Sequence, residues 1–229
     1  MKKVLIIIPA YNEELNIESV VKDIRKNAKG VDYIIINDCS KDDTEAVCLK
    51  NNFNHITLFS NLGLAGAVQT GFLYAYQNNY DIAIQFDGDG QHMAKYIKDL
   101  VKTIESGYNI AIGSRFVNKP RGKGLRMVGS RLITFLIKII TGITVKDPTS
   151  GMRAYDKDLI KECAVAMNNP PEPDTLVHMI KNKAKIKEIQ VEMRERKHGE
   201  SYLKFGSSMM YMIRMVISVL FIQPFRKTR

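Results

Sequence analysis

The chain alternates between short, wholly apolar runs and longer stretches in which apolar residues recur every three or four positions. Residues 4–8 form an uninterrupted apolar run, Val4 to Ile8, as expected of a strand covered on both faces. Residues 12–28 follow with Leu15, Ile17, Val20, Val21 and Ile24 at helical spacing. The two textures then repeat: strands are predicted over 33–36, 56–59, 82–86 and 110–112, and helices over 42–50, 64–77 and 96–105. Such alternation implies parallel strands joined by crossover helices. The expected fold class is therefore α/β, a doubly wound, mainly parallel, Rossmann-like sheet. Ligands bind such sheets beyond the carboxyl ends of the strands. Polar residues follow those ends at Tyr11-Asn12, Asn37-Asp38, Asn61, Asp87-Gly88-Asp89 and Ser114-Arg115, and should converge on one rim.

The second half is less regular. Residues 131–143 are apolar except for Arg131, Thr134, Lys138 and Thr141, which mark one narrow polar stripe on a helix. A helix is expected over 175–181 and a strand over 186–193. Residues 207–222 repeat the striped pattern, with Ser207, Tyr211, Arg214 and Ser218 on one face. This divides the chain into one domain over 1–204 and a C-terminal amphipathic helix with a basic tail over 205–229.

With 229 residues, 45% of them apolar, the chain can build one sizeable core. Its net charge of +10 suits nucleic acid, anionic lipid or phosphorylated small molecules. No aromatic stacking motif or zinc module supports the nucleic-acid reading, and none is expected as a partner. The first apolar run stops at Pro9, too early for an export signal. No stretch reaches the roughly 18–20 uninterrupted apolar residues of a spanning helix. Cys39, Cys48 and Cys163 have no metal-ligand spacing and fit a reducing, cytosolic setting. The striped helices, a basic rim (Lys119, Arg121, Lys123, Arg126) and a basic tail (Arg226, Lys227, Arg229) suggest a cytoplasmic protein lying on the anionic inner face of the plasma membrane. Packing of the two helices together, a homodimer or a membrane-protein partner are the other ways to cover them.

Asp87-Gly88-Asp89 is the first candidate for chemistry. Two carboxylates one residue apart on a tight turn can face a single cation, and hard oxygen ligands suit magnesium or manganese. Such a cation bridges phosphate oxygens and neutralises charge growing on a leaving nucleoside diphosphate.

The surrounding segments carry a resemblance. Ile7-Ile8-Pro9-Ala10-Tyr11-Asn12-Glu13-Glu14 resembles the opening of glycosyltransferase family 2. Ile36-Asn37-Asp38-Cys39-Ser40-Lys41-Asp42-Asp43-Thr44 is similar to its second-strand motif, with Asn37 where the family commonly has Asp. Asn61-x-Gly63 with Ala67 and Gly71 is similar to its third, and Asp87-Gly88-Asp89-Gly90-Gln91-His92 to its metal motif. Gly113-Ser114-Arg115, Asp147-Pro148-Thr149-Ser150-Gly151-Met152-Arg153 and Arg196-x-x-Gly199-x-Ser201 resemble the polyprenyl-phosphate branch, which includes dolichol-phosphate mannose synthase. The resemblance covers about residues 3–204, and its segments occur in order.

The resemblance implies a GT-A fold, a UDP-, GDP- or dTDP-linked sugar donor and inversion at the anomeric carbon. By position, Pro9, Tyr11, Glu13 and Asp38 would line the nucleoside site, with Asn61 beside them. Asp87 would face ribose and diphosphate, Asp89 would hold magnesium or manganese, and His92 would neighbour the metal. Arg115, Arg153, Arg196 and Ser201 would lie near diphosphate and acceptor, since arginine offers a planar fork for phosphate.

The acceptor is expected to be a polyprenyl phosphate or a hydroxyl on a lipid-linked glycan, in cell-envelope polysaccharide assembly. A hydroxyl needs a carboxylate base, whereas a phosphate is already ionised and needs cations. Pro170-Pro171-Glu172-Pro173-Asp174 resembles a family Pro-Glu-Pro-Glu segment, so Asp174 ranks first as base. Glu172 and Asp147 rank behind it. Asp174 also opens the helix over 175–181, where capping is its structural alternative. A nucleotidyltransferase is the competing enzyme reading; Pro9-Ala10-Tyr11-Asn12 is not the glycine- and lysine-rich triphosphate loop that it would need.

Overall fold

A computed structural model describes residues 2–122, 124–165, 172–196 and 213–226, with only the backbone at Leu125, Arg126 and Pro224. Seven strands form one sheet: β1 (Val4–Ala10), β2 (Asp32–Asn37), β3 (His55–Thr57), β4 (Ile82–Gln85), β5 (Ile110–Ser114), β6 (Arg153–Asp156) and β7 (Ile186–Gln190). Their order is β3-β2-β1-β4-β6-β5-β7. All neighbours pair in parallel except β6, which runs antiparallel to both β4 and β5. The helices are α1 (Ile17–Asn27), α2 (Thr44–Lys50), α3 (Gly63–Gln77), α4 (Ile97–Glu105), α5 (Leu125–Thr141), α6 (Lys157–Val165) and α7 (Thr175–Lys181).

The apolar strands split by period two into two cores. Leu5, Ile7, Ile34 and Ile36 join Phe72, Tyr155 and Leu176 on one face of the sheet. Ile6, Ile8, Ile35 and Ile84 join Ile17, Val21 and Leu100 on the other. Gly71 lets α3 lie close on β1, because an added Cβ would run into the Ile7 side chain.

Several expectations shift. The helix expected from residue 12 starts at Ile17, because the Glu13 carbonyl accepts the amides of Asn16 and Ile17 in a turn that leaves Leu15 exposed. The pair β6 and α6 is absent from the sequence reading. β6 is four residues long, with charged residues at both ends, so its apolar signal is too short to register. The strand expected over 186–193 ends at Gln190.

Of the helix expected over 207–222, residues 207–212 lie outside the described residues. The described part is helical over 213–217, widens over Ser218–Ile222 and closes with a tight turn over Gln223–Phe225. Its polar stripe is turned inward at Ser218, which is buried, while Ile213, Ile217, Leu220, Phe221 and Phe225 are exposed. On α5, Arg131 and Lys138 face outward as expected, but so do Val128, Leu132, Phe135 and Ile139. Ser130, Ile133 and Ile137 pack inward.

Candidate active site

The carboxyl ends of β1, β2 and β4 meet as expected. Asp38 donates its amide to Ala10 O (2.8 Å), tying the ends of β1 and β2. Its buried carboxylate accepts the Leu62 amide (2.7 Å), and Asn61 donates to its carbonyl (3.1 Å). Burial holds the Asp38 carboxyl above its ordinary range, against the opposing pull of the Leu62 and Gly63 amides. The loops after β1 and β2 are stitched together: Asn12 N–H donates to Ser40 Oγ (3.0 Å), and Lys41 N–H to Asn12 Oδ1 (2.8 Å). Asn12 and Cys39 both adopt left-handed backbone (φ 56°) to make these turns. Tyr11 is half-buried at the end of β1, and Pro9 is buried within it.

Glu13 is buried between Asn16, which donates to Oε2 (2.7 Å), and Arg196, which donates to Oε1 (2.6 Å). Burial raises its pKa, opposed first by the Asn16 hydrogen bond and the Arg196 charge. Arg196 follows β7 on a strap over residues 191–196. The strap is fixed by Arg194, whose amide donates to Gln91 O (2.8 Å) and whose guanidinium lies 3.4 Å from Asp23. The strap therefore joins Glu13, just after β1, to the loop after β4.

That loop carries the Asp pair. Gln85 Nε2 donates to Asp87 Oδ1 (3.3 Å), and His92 Nε2 lies 3.3 Å from Asp87 Oδ2. Asp89 accepts the Gln91 amide (3.0 Å). Two glycines bring the backbone close. A Cβ at Gly88 would sit 2.9 Å from Pro9 O, and one at Gly151 would overlap the Asp87 carboxylate. Burial, then the charge of Asp87, raises the pKa of Asp89. A pair that resists carrying two negative charges fits a divalent cation, and its oxygen donors suit magnesium or manganese. Among the described residues no set of three or more His, Cys, Asp or Glu side chains could hold a metal alone. A metal there would take its remaining ligands from outside these side chains. His92 is buried against Phe86 and touches Asp87, so it orients that carboxylate.

Arg115 follows the end of β5, and Arg153 opens β6 beside Gln85 of β4. Arg115 grips Asp147 through Nε and Nη2 (2.7 Å each), and its amide donates to the same carboxylate (3.0 Å). Burial works against the Arg115 charge, and Asp147 more than offsets it. Asp147 is fully buried in this pair, so the third candidate base serves to hold Arg115. Arg153 is buried and donates to Ser150 O (2.8 Å) and Pro148 O. Glu172 is half-buried; burial and the neighbouring Asp174 raise its pKa, while Arg214 and Arg153 oppose them. Asp174 caps α7 as the alternative reading expected, accepting the Thr175 amide (3.0 Å), and also accepts from Ser218 Oγ and Gln223 Nε2 (3.0 Å). Ser201, Lys123, Lys227 and Arg229 lie outside the described residues.

Gln85, Gly151, Arg194, Ser218 and Gln223 support the site without having been singled out for it. Gly151 stands inside the segment over 147–153 and Ser218 on the polar stripe over 207–222; Gln85, Arg194 and Gln223 carry no local signal.

Known proteins match the sequence and the fold. The family model "Glycosyl transferase family 2" matches residues 5–164. The chain is 31% identical to a UDP-N-acetylglucosamine--dolichyl-phosphate N-acetylglucosaminyltransferase of Methanococcus voltae, over 83% of this chain and 85% of that one. It is 25% identical to a polyprenol monophosphomannose synthase of Mycolicibacterium smegmatis, over 87% of this chain and 80% of that one. The fold matches a Mycobacterium tuberculosis glucosyl-3-phosphoglycerate synthase in complex with Mn2+, UDP and glucosyl-3-phosphoglycerate. That match has a TM-score of 0.74 at 18% identity and covers 95% of this chain and 80% of that one. The doubly wound sheet, the Asp pair at the end of β4 and these matches agree: the chain is a glycosyltransferase of GT-A fold and belongs to glycosyltransferase family 2.

Proposed function

We propose that the chain transfers a sugar, with inversion, from a nucleotide-sugar donor to a polyprenyl phosphate, using magnesium or manganese held by Asp87 and Asp89. The observation that carries this reading is the Asp pair on one side of the rim with Arg115, Arg153 and Arg196 around it. Lipid-phosphate names among the relatives support the acceptor, and the Mn2+ and UDP of the structural neighbour support the metal and a nucleoside diphosphate.

On this reading Pro9, Tyr11, Glu13, Asp38 and Asn61 seat the nucleoside, and Asp87 faces ribose and diphosphate. An oxygen of the acceptor phosphate bonds to the anomeric carbon as the carbon–oxygen bond to the nucleoside diphosphate breaks, the electron pair leaving with the diphosphate. The metal, when bound, neutralises charge on that leaving group. The attacking phosphate brings no proton to remove, so the arginines and not a base prepare it.

Among the described residues no helix is long and apolar enough to cross a membrane. The outward apolar residues of α5 (Val128, Leu132, Phe135 and Ile139), beside Arg131 and Lys138, support peripheral attachment to the anionic cytoplasmic leaflet.

The test is sugar transfer to undecaprenyl phosphate with UDP-, GDP- and dTDP-sugars and Mn2+. Turnover of one donor, lost in Asp89→Ala and absent with chelator, is expected. No donor hydrolysis or transfer with any of them refutes the reading. Transfer to a lipid-linked glycan, with none to the phosphate, refutes its acceptor.

A further inference from the structure

We propose that Asp174 is a positioning residue: its carboxylate clasps the C-terminal segment to the start of α7 and so sets where a lipid-phosphate acceptor meets the site. This rests on the acceptor assigned above.

Asp174 is buried, and donors occupy both of its oxygens. The Thr175 amide reaches Oδ1 (3.0 Å), while Ser218 Oγ and Gln223 Nε2 (3.0 Å) both reach Oδ2. Gln223 Nε2 also lies 3.3 Å from Ser218 Oγ, closing a three-residue network. The two side-chain donors come from 44 and 49 residues downstream. A base must present an open oxygen to the group that it deprotonates. Here the carboxylate is buried, with two donors of the chain on Oδ2 and a third on Oδ1, which argues against Asp174 as the base.

The clasp holds a segment with unusual polarity. Ser218 and Gln223 point inward, while Ile217, Leu220, Phe221 and Phe225 are exposed. Met215 and Val219 anchor the segment in the core beneath the sheet. Arg214, on the same segment, is close enough to Glu172 to oppose the rise in its pKa, as is Arg153. One buried carboxylate thus fixes an outward apolar surface, with Arg214 one turn before Ser218, relative to the start of α7. A lipid chain lying on that surface would place its phosphate at a set distance from Arg214.

The test uses the full chain with undecaprenyl phosphate in anionic vesicles, and a short water-soluble prenyl phosphate for comparison. Ser218→Ala and Gln223→Ala are expected to raise the vesicle-acceptor KM by about tenfold, roughly 1.4 kcal/mol, with donor Kd and donor hydrolysis unchanged. Their effect on the short acceptor should be smaller. Asp174→Ala combined with Ser218→Ala should cost no more than Asp174→Ala alone. If Asp174→Ala does not fold, the Ser218 and Gln223 variants carry the test, with melting temperature as the control. Asp174→Asn abolishing turnover at unchanged KM, with Ser218→Ala silent, would overturn the clasp in favour of a base. Unchanged acceptor KM in Ser218→Ala and Gln223→Ala would also overturn it. A wild-type chain inert toward every donor instead defeats the underlying enzyme reading, and donor hydrolysis separates the two failures.

Discussion

Replacing Gly151 by alanine adds one methyl group at the tightest approach of the backbone to the Asp pair. The new Cβ would overlap Asp87 Oδ2 and lie 2.6 Å from its Cγ. Ordinary carbon contacts need about 3.5–4.0 Å, so the carboxylate must retreat by roughly 1 Å. That movement pulls Asp87 from Gln85 Nε2 and His92 Nε2, its two neighbours at 3.3 Å. A misplacement of about 1 Å at reacting geometry costs roughly 10²-fold in rate. Overpacking also costs about 1–3 kcal/mol of stability. The φ of Gly151 is not in the left-handed region, so alanine is permitted by the backbone and the effect is steric. Gly107→Ala is the control: its φ is +93° with nothing near the added Cβ, so it should lower the melting temperature and spare the rate. The assay is initial transfer rate at saturating donor, beside titration of Mn2+ and UDP. A Gly151→Ala chain that keeps its rate to within about threefold, far short of the roughly 10²-fold expected, would refute the placement of Asp87 in the reacting geometry.

Other outcomes follow from the same geometry. Arg115→Ala strips the fully buried Asp147 of its bidentate partner and should cost on the order of 3 kcal/mol by denaturant unfolding; a loss under about 1 kcal/mol would contradict the pair's structural weight. Asp38 has a folded pKa above its ordinary 3.8 because it is buried. The folded chain therefore keeps a proton that the unfolded chain releases, so this contribution to stability is present below the unfolded pKa and is lost as pH rises through the folded one. Melting curves from pH 4 upward should show Asp38→Asn gaining on the wild type as pH rises through that window, and a gain in the opposite direction would show the shift to be reversed. Burial pushes the Cys48 thiol up to about 11 and raises that of Cys163 further, whereas Cys39 is half-exposed beside the nucleoside rim. A thiol reagent at pH 8 should modify one cysteine quickly, and bound nucleotide sugar should slow it; three fast reactions would be inconsistent with these burials.

The part of the rim that holds Asp38, Asp87 and Asp89 is legible because its signals are local. The strands β1, β2 and β4 are mainly apolar with polar residues at or just past their carboxyl ends, so these three are placed without knowing the register. The part built by Arg115, Asp147 and Asp174 depends on contacts that span the chain. Asp147 looked like a base because its partner, Arg115, lies 32 positions away. Asp174 ranks first as base on its likeness to the family segment, while its donors Ser218 and Gln223 lie further still along the chain. Periodicity found the narrow polar stripe of α5 but not its surroundings, since a helix that is apolar on most faces does not declare which of them meets the core. β6 was missed because its place depends on the gap between β4 and β5, and not on its own four residues.

The antiparallel β6 has a further consequence for how such an enzyme can diverge. Residues 115–146 leave the sheet and return to it at nearly the same point. Gly113 N–H meets Met152 O (2.8 Å), Ser150 Oγ meets Gly113 O (2.6 Å), and Arg115 N–H meets Asp147 (3.0 Å). Glu188 on β7 receives the amides of Lys146 and Asp147 as well. The excursion is thus a cassette with its ends stapled together. Because closing a longer loop costs little more than closing a short one, α5 can be exchanged, lengthened or recharged while Asp87 and Asp89 stay in place. Change in this one continuous stretch of the gene can then proceed without moving the Asp pair.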